Sequence, residues 1–376
     1  MSNIQIIAAD SEDQKRAFLR LPEHLYTNDP NWVCPLRIER RDFFDPQKNP
    51  FFDGADVQLF LARRNGRDVG RISAHIYHAH NRVHNERTGF FGFFECEKDF
   101  AIARALWDAA ATWLAEREME RMRGPANFTT NHEVGFLADG FDTPPVVMMP
   151  HTHAYYIDFA EEYGFRKAMD LYAYYAQDSV PVPERVERLI GRIAKRSGAT
   201  IRPLDMKHFD REVEAIQDIY DSAWAPNWGF VPMTKAEFAH MAKDMKQIVD
   251  PRVVLIVEVD GKVAGFSLAL PDINQVLIRM NGRLFPFGLI KLLWHTKIRH
   301  SINRIRVLVM GVLPEYQKRG IDQLLHYETR LRGPVAGYHD AETSWILETN
   351  TMMNAVAESL GHERYKTYRV YDYPLT

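Results

Sequence analysis

The chain repeats itself, and that repetition limits its fold more than any other property. Val57–Ile76 has the pattern of a strand, a tight turn at Asn65-Gly66 and a second strand; Arg252–Leu270 has the same pattern around Asp260-Gly261. Asn-Gly and Asp-Gly supply the positive φ values that a two-residue hairpin demands. Gly66 and Gly261 stand 195 residues apart, as do Gly70 and Gly265. Pro30-Asn31-Trp32 returns as Pro226-Asn227-Trp228 at an offset of 196, and the glycine before the aromatic run DLYAYY (Gly164) returns as Gly361 before YRVYDY at 197. Three anchors at nearly one offset mean a tandem duplication, two copies of roughly 175 residues each.

The copies predict two domains, residues 1–178 and 185–376, joined by the proline-containing segment Asp178–Glu184. Each copy predicts one order of elements. A first strand (Ile4–Ala8, or Ala199–Pro203) leads through helices to the hairpin and then to a further strand (Phe90–Glu95, or Arg304–Val312). A long helix follows (Lys98–Arg121, or Ile321–Arg332), then a short strand, a helix closed by glycine and a last aromatic strand. This is an α+β chain in which each domain has a mixed, mostly antiparallel sheet flanked by helices.

Composition narrows the classes of function. With 47 basic against 50 acidic residues the net charge is −3, so no global field draws the chain to nucleic acid. Two cysteines, Cys34 and Cys96, are too few for a disulfide framework and fit a reducing compartment. The N-terminal residues lack a basic stretch followed by a long apolar core, and no uncharged apolar run is long enough to span a bilayer. The expected location is the cytoplasm.

One stretch carries chemistry. Val307–Leu325 reads as an apolar strand, a turn at Pro314, a cationic loop with Gln317, Lys318 and Arg319, and an amphipathic helix starting at Gly320. A glycine-containing loop at a helix N-terminus offers unpaired N–H groups and the positive end of the helix dipole to an anion. Copy one lacks this loop. There, Phe90–Glu95 runs through Cys96-Glu97-Lys98-Asp99 into its helix with three acidic residues on the way.

In the second copy, Pro314-Glu315-Tyr316 followed by Gln317-Lys318-Arg319-Gly320-Ile321-Asp322 resembles the signature of the GNAT superfamily of acyl-coenzyme A N-acyltransferases. Trp345–Glu348, Asn350 and Gly361 resemble later landmarks of that family, and the repeated arrangement resembles tandem double-GNAT proteins. The resemblance implies a coenzyme A donor, acetyl-CoA or another acyl-CoA. Its pyrophosphate would lie on Gln317, Lys318, Arg319, Gly320, Ile321 and Asp322, and its pantetheine arm along Met310, Gly311, Val312 and Leu313, with Asn350 nearby. It also implies an acyl transfer to an amine on a small molecule or peptide. The sequence departs from the family at Asp322, where Gly or Ala is usual, at Ala357, where many members carry a tyrosine, and at His362 in place of Phe. Tyr365 and Tyr368 are therefore the candidates for protonating the leaving thiolate.

The long loop Gly124–His153 is the candidate acceptor site, through Asn127, Asn131, His132 and Glu133, with Glu133 also a candidate general base. A rigid cover whose polar groups satisfy one another is the alternative reading of this loop. His151 and His153 have no third ligand at suitable spacing, so no metal site is expected. The apolar insert Asn281–Asn303 is suited to packing between the copies, to walling an acyl chain, to a membrane surface or to a homodimer face. The expectation is an N-acyltransferase. Its rivals are an aminoacyl-tRNA-dependent transferase of the Fem kind and a non-catalytic GNAT-fold binding or interaction protein; no nucleic-acid partner is expected.

Overall fold

The computed structural model describes residues 4–284, 288–294 and 301–375, which form two compact units. The first comprises Met1–Asp170, Leu277–Leu289 and Thr367–Thr376; the second, Leu171–Val276 and Ile290–Lys366. The last strand of each unit therefore comes from the other half of the chain. The sequence-order division at 178 and 185 describes the duplication; the compact bodies close differently.

The first unit runs β1 (Ile4–Ala8), α1 (Glu12–Leu25), α2 (Arg37–Phe43), β2 (Ala55–Arg64), β3 (Arg67–Tyr77), α3 (His78–His84), β4 (Thr88–Cys96), α4 (Phe100–Ala115), β5 (Arg121–Gly124), β6 (Ala126–Asn127), β7 (Glu133–Val134), β8 (Phe136–Asp139), α5 (Tyr155–Tyr163) and the start of β9 (Arg166–Gln177). In its sheet β1 to β4 pair antiparallel in chain order and β4 pairs parallel with β5. The parallel step is made by α4, which packs Ile102, Leu106, Trp107 and Leu114 into the core. The expected helix from Lys98 is shorter at both ends, because Asp99 caps it by accepting from Ala101 N–H at 3.0 Å and the chain turns at Glu118 with φ 61°.

The second unit runs α6 (Glu184–Ser197), β10 (Ala199–Pro203), α7 (Phe209–Trp224), α8 (Lys235–Met245), β11 (Val254–Val259), β12 (Lys262–Pro271), α9 (Asn274–Leu277), α10 (Gly288–Leu293), β13 (Arg304–Val312), α11 (Ile321–Val335), β14 (Asp340–Leu347), α12 (Thr351–Ser359) and β15 (Glu363–Pro374). Strands β10 to β13 pair antiparallel, β13 pairs parallel with β14, and β14 pairs antiparallel with Leu171–Gln177 of β9. The remainder of β15, Thr367–Pro374, completes the first unit against β5 and β8. Each unit is thus an α+β fold with a mixed, largely antiparallel sheet. Both hairpin turns have left-handed residues in succession, Asn65 and Gly66 at φ 54° and 77°, Asp260 and Gly261 at 52° and 74°.

Candidate active site

The strand–loop–helix of the second unit is built as an open cradle. Strand β13 shifts its register on β12 next to Leu308, so Leu268 faces Val309 while Ala269 faces Val307. It pairs with β14 only from Arg304↔Asp340 to Val307↔Thr343, and beyond that point the two strands part. Leu308, Val309 and Met310 are half-buried along the parted edge, and the Trp224 indole N–H donates to Met310 O at 2.9 Å.

After β13 the chain makes a single turn at Pro314–Tyr316. It then passes through two left-handed residues, Lys318 at φ 63° and Gly320 at φ 78°, and enters α11. No side chain caps α11; its first internal bond is Leu324 N–H to Gly320 O at 3.0 Å. The N–H groups ahead of Leu324 therefore face the loop with the positive end of the helix. Gln317, Lys318 and Arg319 are exposed around them. Gln317 braces the loop by donating to Val312 O at 3.1 Å, and Arg319 donates to Glu315 O at 3.2 Å. Gly320 is required twice over: its φ favours glycine, and a Cβ there would sit 2.7 Å from Ile193 of α6. Asp322 lies half-buried in the first helical turn. Asn350 uses its side-chain oxygen to cap α12 through Met353 N–H at 3.2 Å.

Where β13 and β14 part, a buried polar network closes the apex. Arg306 and Glu342 face each other in register, Arg306 Nε donates to Ser344 Oγ at 3.0 Å, and Glu342 accepts from both Ser344 and Tyr365. Of the two candidate phenols, Tyr365 is held there by Glu342 in the second unit. Tyr368 is fully buried in the first, opposite Leu137. The structure does not bring them to one place.

The equivalent crossover of the first unit is closed twice. Its helix N-terminus is filled by Asp99, and Arg64 pairs with that carboxylate at 2.6 Å and holds it below the usual range. Glu97 binds Arg64 and Arg67 beside it. The gap between β4 and β5 is filled by the chain itself: a Cβ on Gly92 would lie 1.9 Å from Ala126 O, and Asn127 Oδ1 accepts from Phe93 N–H at 2.7 Å.

The loop expected to bind the acceptor folds on itself. Asn127 donates to Glu133 Oε2 at 3.1 Å, Glu133 pairs with Arg40 of α2, and His132 Nδ1 lies 3.0 Å from Thr129 Oγ1. Asn131 N–H donates to Thr129 Oγ1 at 3.1 Å. Burial pushes the Glu133 carboxyl up, but Arg40 and Asn127 outweigh it and leave it below its ordinary value. Phe128, between them, is fully buried and stacks on Phe51 at 4.6 Å and Phe43 at 5.5 Å. These contacts tie the loop's polar groups to one another and to α2.

Two features of the first unit have no counterpart in the sequence reading. A cavity of about 530 Å³ is lined by Tyr26, Asp29, Trp32, Arg37, Met280 and Arg283, among others, and by none of Asn127, Asn131, His132 or Glu133. Behind Tyr26 lies Glu95 of β4, opposite Arg71 in register and accepting from the hydroxyls of Tyr26 at 2.7 Å and Tyr156 at 2.8 Å. Burial pushes the Glu95 carboxyl up to about 7, against the pull of Arg71 and both phenols. The signal that could have found it is a lone carboxylate inside an otherwise apolar strand.

A strand with a shifted register, a parted parallel neighbour and an uncapped cationic helix start, present in one of two repeated units, belong to a tandem GNAT-like fold. No family model matches the chain. It is 41% identical over 376 residues to the bacterial ceramide synthase of Caulobacter vibrioides, covering 99% of this chain and 97% of that protein. It is 39% identical to protein YghO of Escherichia coli, covering 96% and 93%. The chain belongs to the family that contains these two proteins. A tandem GNAT protein from the clavulanic acid biosynthesis pathway superposes over 100% of this chain and 99% of its own with a TM-score of 0.57 at 14% identity, a likeness of fold.

Proposed function

We propose that the chain is an acyl-CoA-dependent N-acyltransferase whose acceptor is the amine of a long-chain amino alcohol, the product being an amide of the ceramide class. The observation that carries the donor is the asymmetry of the repeat: the same crossover is capped by a carboxylate and filled in the first unit, uncapped and cationic in the second. What supports the acceptor class is the 41% identity to the bacterial ceramide synthase.

The donor's pyrophosphate would lie on the N–H groups at the start of α11 with Lys318 and Arg319, and its pantetheine arm along Met310–Leu313. The acceptor nitrogen attacks the thioester carbonyl; the new C–N bond forms, the C–S bond breaks, the nitrogen loses a proton and the thiolate gains one. Backbone N–H groups of a parted strand edge are suited to the oxyanion of the tetrahedral intermediate. Tyr365, held by Glu342, is the phenol we assign to the thiolate.

Calorimetric titration of coenzyme A into the wild type and into Lys318→Glu/Arg319→Glu, with mass spectrometry of products from palmitoyl-CoA and sphinganine, tests this. Binding and amide formation are expected in the wild type. The charge reversals should weaken coenzyme A binding by roughly tenfold or more, two cationic contacts to phosphate being removed. A wild type without affinity for coenzyme A, or a reversed variant that binds equally well, overturns the donor site. Amide formation with short soluble amines but not with sphinganine overturns the acceptor.

A further inference from the structure

The cavity of about 530 Å³ lies wholly within the first unit, to which both Glu23–Arg37 and the segment 278–283 belong. Its size is within the roughly 300–1,000 Å³ of small-molecule sites. The segment is fastened to the start of α2, where Arg37 N–H donates to Gly282 O at 3.1 Å. A Cβ on Gly282 would sit 2.7 Å from Cys34 Sγ and from Pro35 O, and its φ of +67° also favours glycine. That close approach sets the next residue, Arg283, at the exposed edge of the cavity. Trp32, stacked flat on Tyr26 at 5.1 Å, gives an apolar wall together with Ile278 and Met280.

The charged groups of the lining are engaged unequally. Glu23 accepts from both Nε and Nη2 of Arg37. Asp29 takes the Asn31 N–H at 2.9 Å on one oxygen and has His151 Nε2 2.9 Å from the other. The two carboxylates are therefore occupied. The cations are not: Arg37 keeps its Nη1, and the Arg283 side chain has no partner among the described residues. No acidic residue lies between Asp272 and Glu315 to neutralise it from nearby in the chain. Burial pushes the Cys34 thiol up to about 12, so no thiolate competes for these cations.

We infer that this cavity binds an amphipathic carboxylate, its head on the Arg283 guanidinium and its hydrocarbon against Trp32, Ile278 and Met280. A guanidinium without an ion-pair partner presents a planar fork of donors that matches a carboxylate through two bonds. An ammonium head would have to displace Arg37 or His151 from the carboxylates and would leave Arg283 unmatched. The site is separate from the α11 loop assigned to the donor and does not depend on the proposed reaction.

Calorimetric titration of the full chain with sodium dodecanoate, kept below its micelle concentration, tests this without any turnover. Dodecyltrimethylammonium presents the opposite charge on the same tail. The wild type is expected to bind dodecanoate saturably and the ammonium weakly or not at all. Arg283→Glu should bind dodecanoate roughly tenfold less tightly or weaker, with an unchanged melting curve, since it breaks no bond to a described residue. Arg283→Lys, which keeps the charge and loses the fork, should fall between the two. Lys318→Glu/Arg319→Glu should bind dodecanoate as the wild type does. No binding by the wild type, or equal binding by Arg283→Glu, overturns the inference. So does a preference for the ammonium, which assigns the cavity to a cation on Glu23 and Asp29, or loss of binding in Lys318→Glu/Arg319→Glu, which assigns the carboxylate to the α11 loop. A wild type that binds dodecanoate but not coenzyme A would leave this inference standing and remove the proposed donor site.

Discussion

At the scale of single residues, Glu95 concentrates the most electrostatic tension. Its carboxyl is buried beneath Tyr26 and Tyr156 and faces Arg71, which is itself pushed down to about 10 by burial. In an unfolded chain a glutamate titrates near 4.3, whereas here burial pushes it up to about 7. The folded state therefore holds the proton more tightly. Its stabilising contribution is complete below the unfolded value and is lost as pH rises through 7. Glu95→Gln keeps acceptors for both phenols and has no proton to lose. From pH 4.5 to pH 8, the stability difference between wild type and variant should shift in the variant's favour by on the order of 3 kcal/mol. Paired urea denaturations at the two pH values measure this; a difference that stays constant contradicts it. Such a site escapes a reading of sequence for a physical reason. Glu95 is one carboxylate in a strand of phenylalanines, and its partners lie 69 residues before it and 61 after it. Glu133 was legible as a polar loop residue, but its pairing with Arg40, 93 residues away, decides its state.

At the scale of elements, the parts with local signals were legible almost residue for residue. Asn65-Gly66 and Asp260-Gly261 specify their hairpins through backbone conformation alone, and β1, β10 and β13 occupy the positions that apolar patterning predicts. The destination of the last strands was not legible. DLYAYY and YRVYDY carry equivalent aromatic patterns, so either could close either sheet; long-range ion pairs decide. Asp372 holds Arg123 through two bonds at 2.8 and 2.9 Å, and Arg369 holds Asp170 at 2.8 and 3.0 Å, all four residues lying in the first unit. Tyr368, Val370 and Tyr371 are buried beside them. At about 1.5–3 kcal/mol for each buried side chain, their loss approaches the whole stability of an ordinary domain. A chain ending at Lys366 should therefore unfold its first unit, although the deleted residues are remote from it in sequence. Limited proteolysis is the check. Rapid cleavage within residues 4–170 is expected, and resistance equal to that of the full chain would show that the strand is dispensable.

At the scale of the whole molecule, buried histidines in both units set the acid limit. Burial pushes His75 and His80 of the first unit down to about 4. In the second unit burial takes His326 to about 4 and His362 to about 3. His75 Nε2 lies 2.7 Å from Phe128 O, a contact that requires a donor on that nitrogen. The His326 Nε2 and both ring nitrogens of His362 find no partner among the described residues, so protonation there would gain nothing to offset desolvation. An unfolded histidine titrates near 6.5, so between that value and 4 the unfolded chain binds more protons. Stability contributed by these groups is present above pH 6.5 and falls with pH. Each contributes on the order of 2–3 kcal/mol, and Glu95 opposes with a term of the opposite sign and similar size. In the second unit two such groups approach the lower end of the roughly 5–15 kcal/mol by which domains are stable, so that unit should unfold near pH 4, whereas in the first unit Glu95 offsets one of the two histidines. A circular-dichroism titration from pH 7 downward is expected to show a cooperative transition between about pH 4 and 5.5. In Glu95→Gln the unfolding of the first unit should move to higher pH, because a group that gains from acid in this window has been removed. A fold intact at pH 4, or a variant whose midpoint moves down, would mean that the histidines are reached by water and carry no such cost.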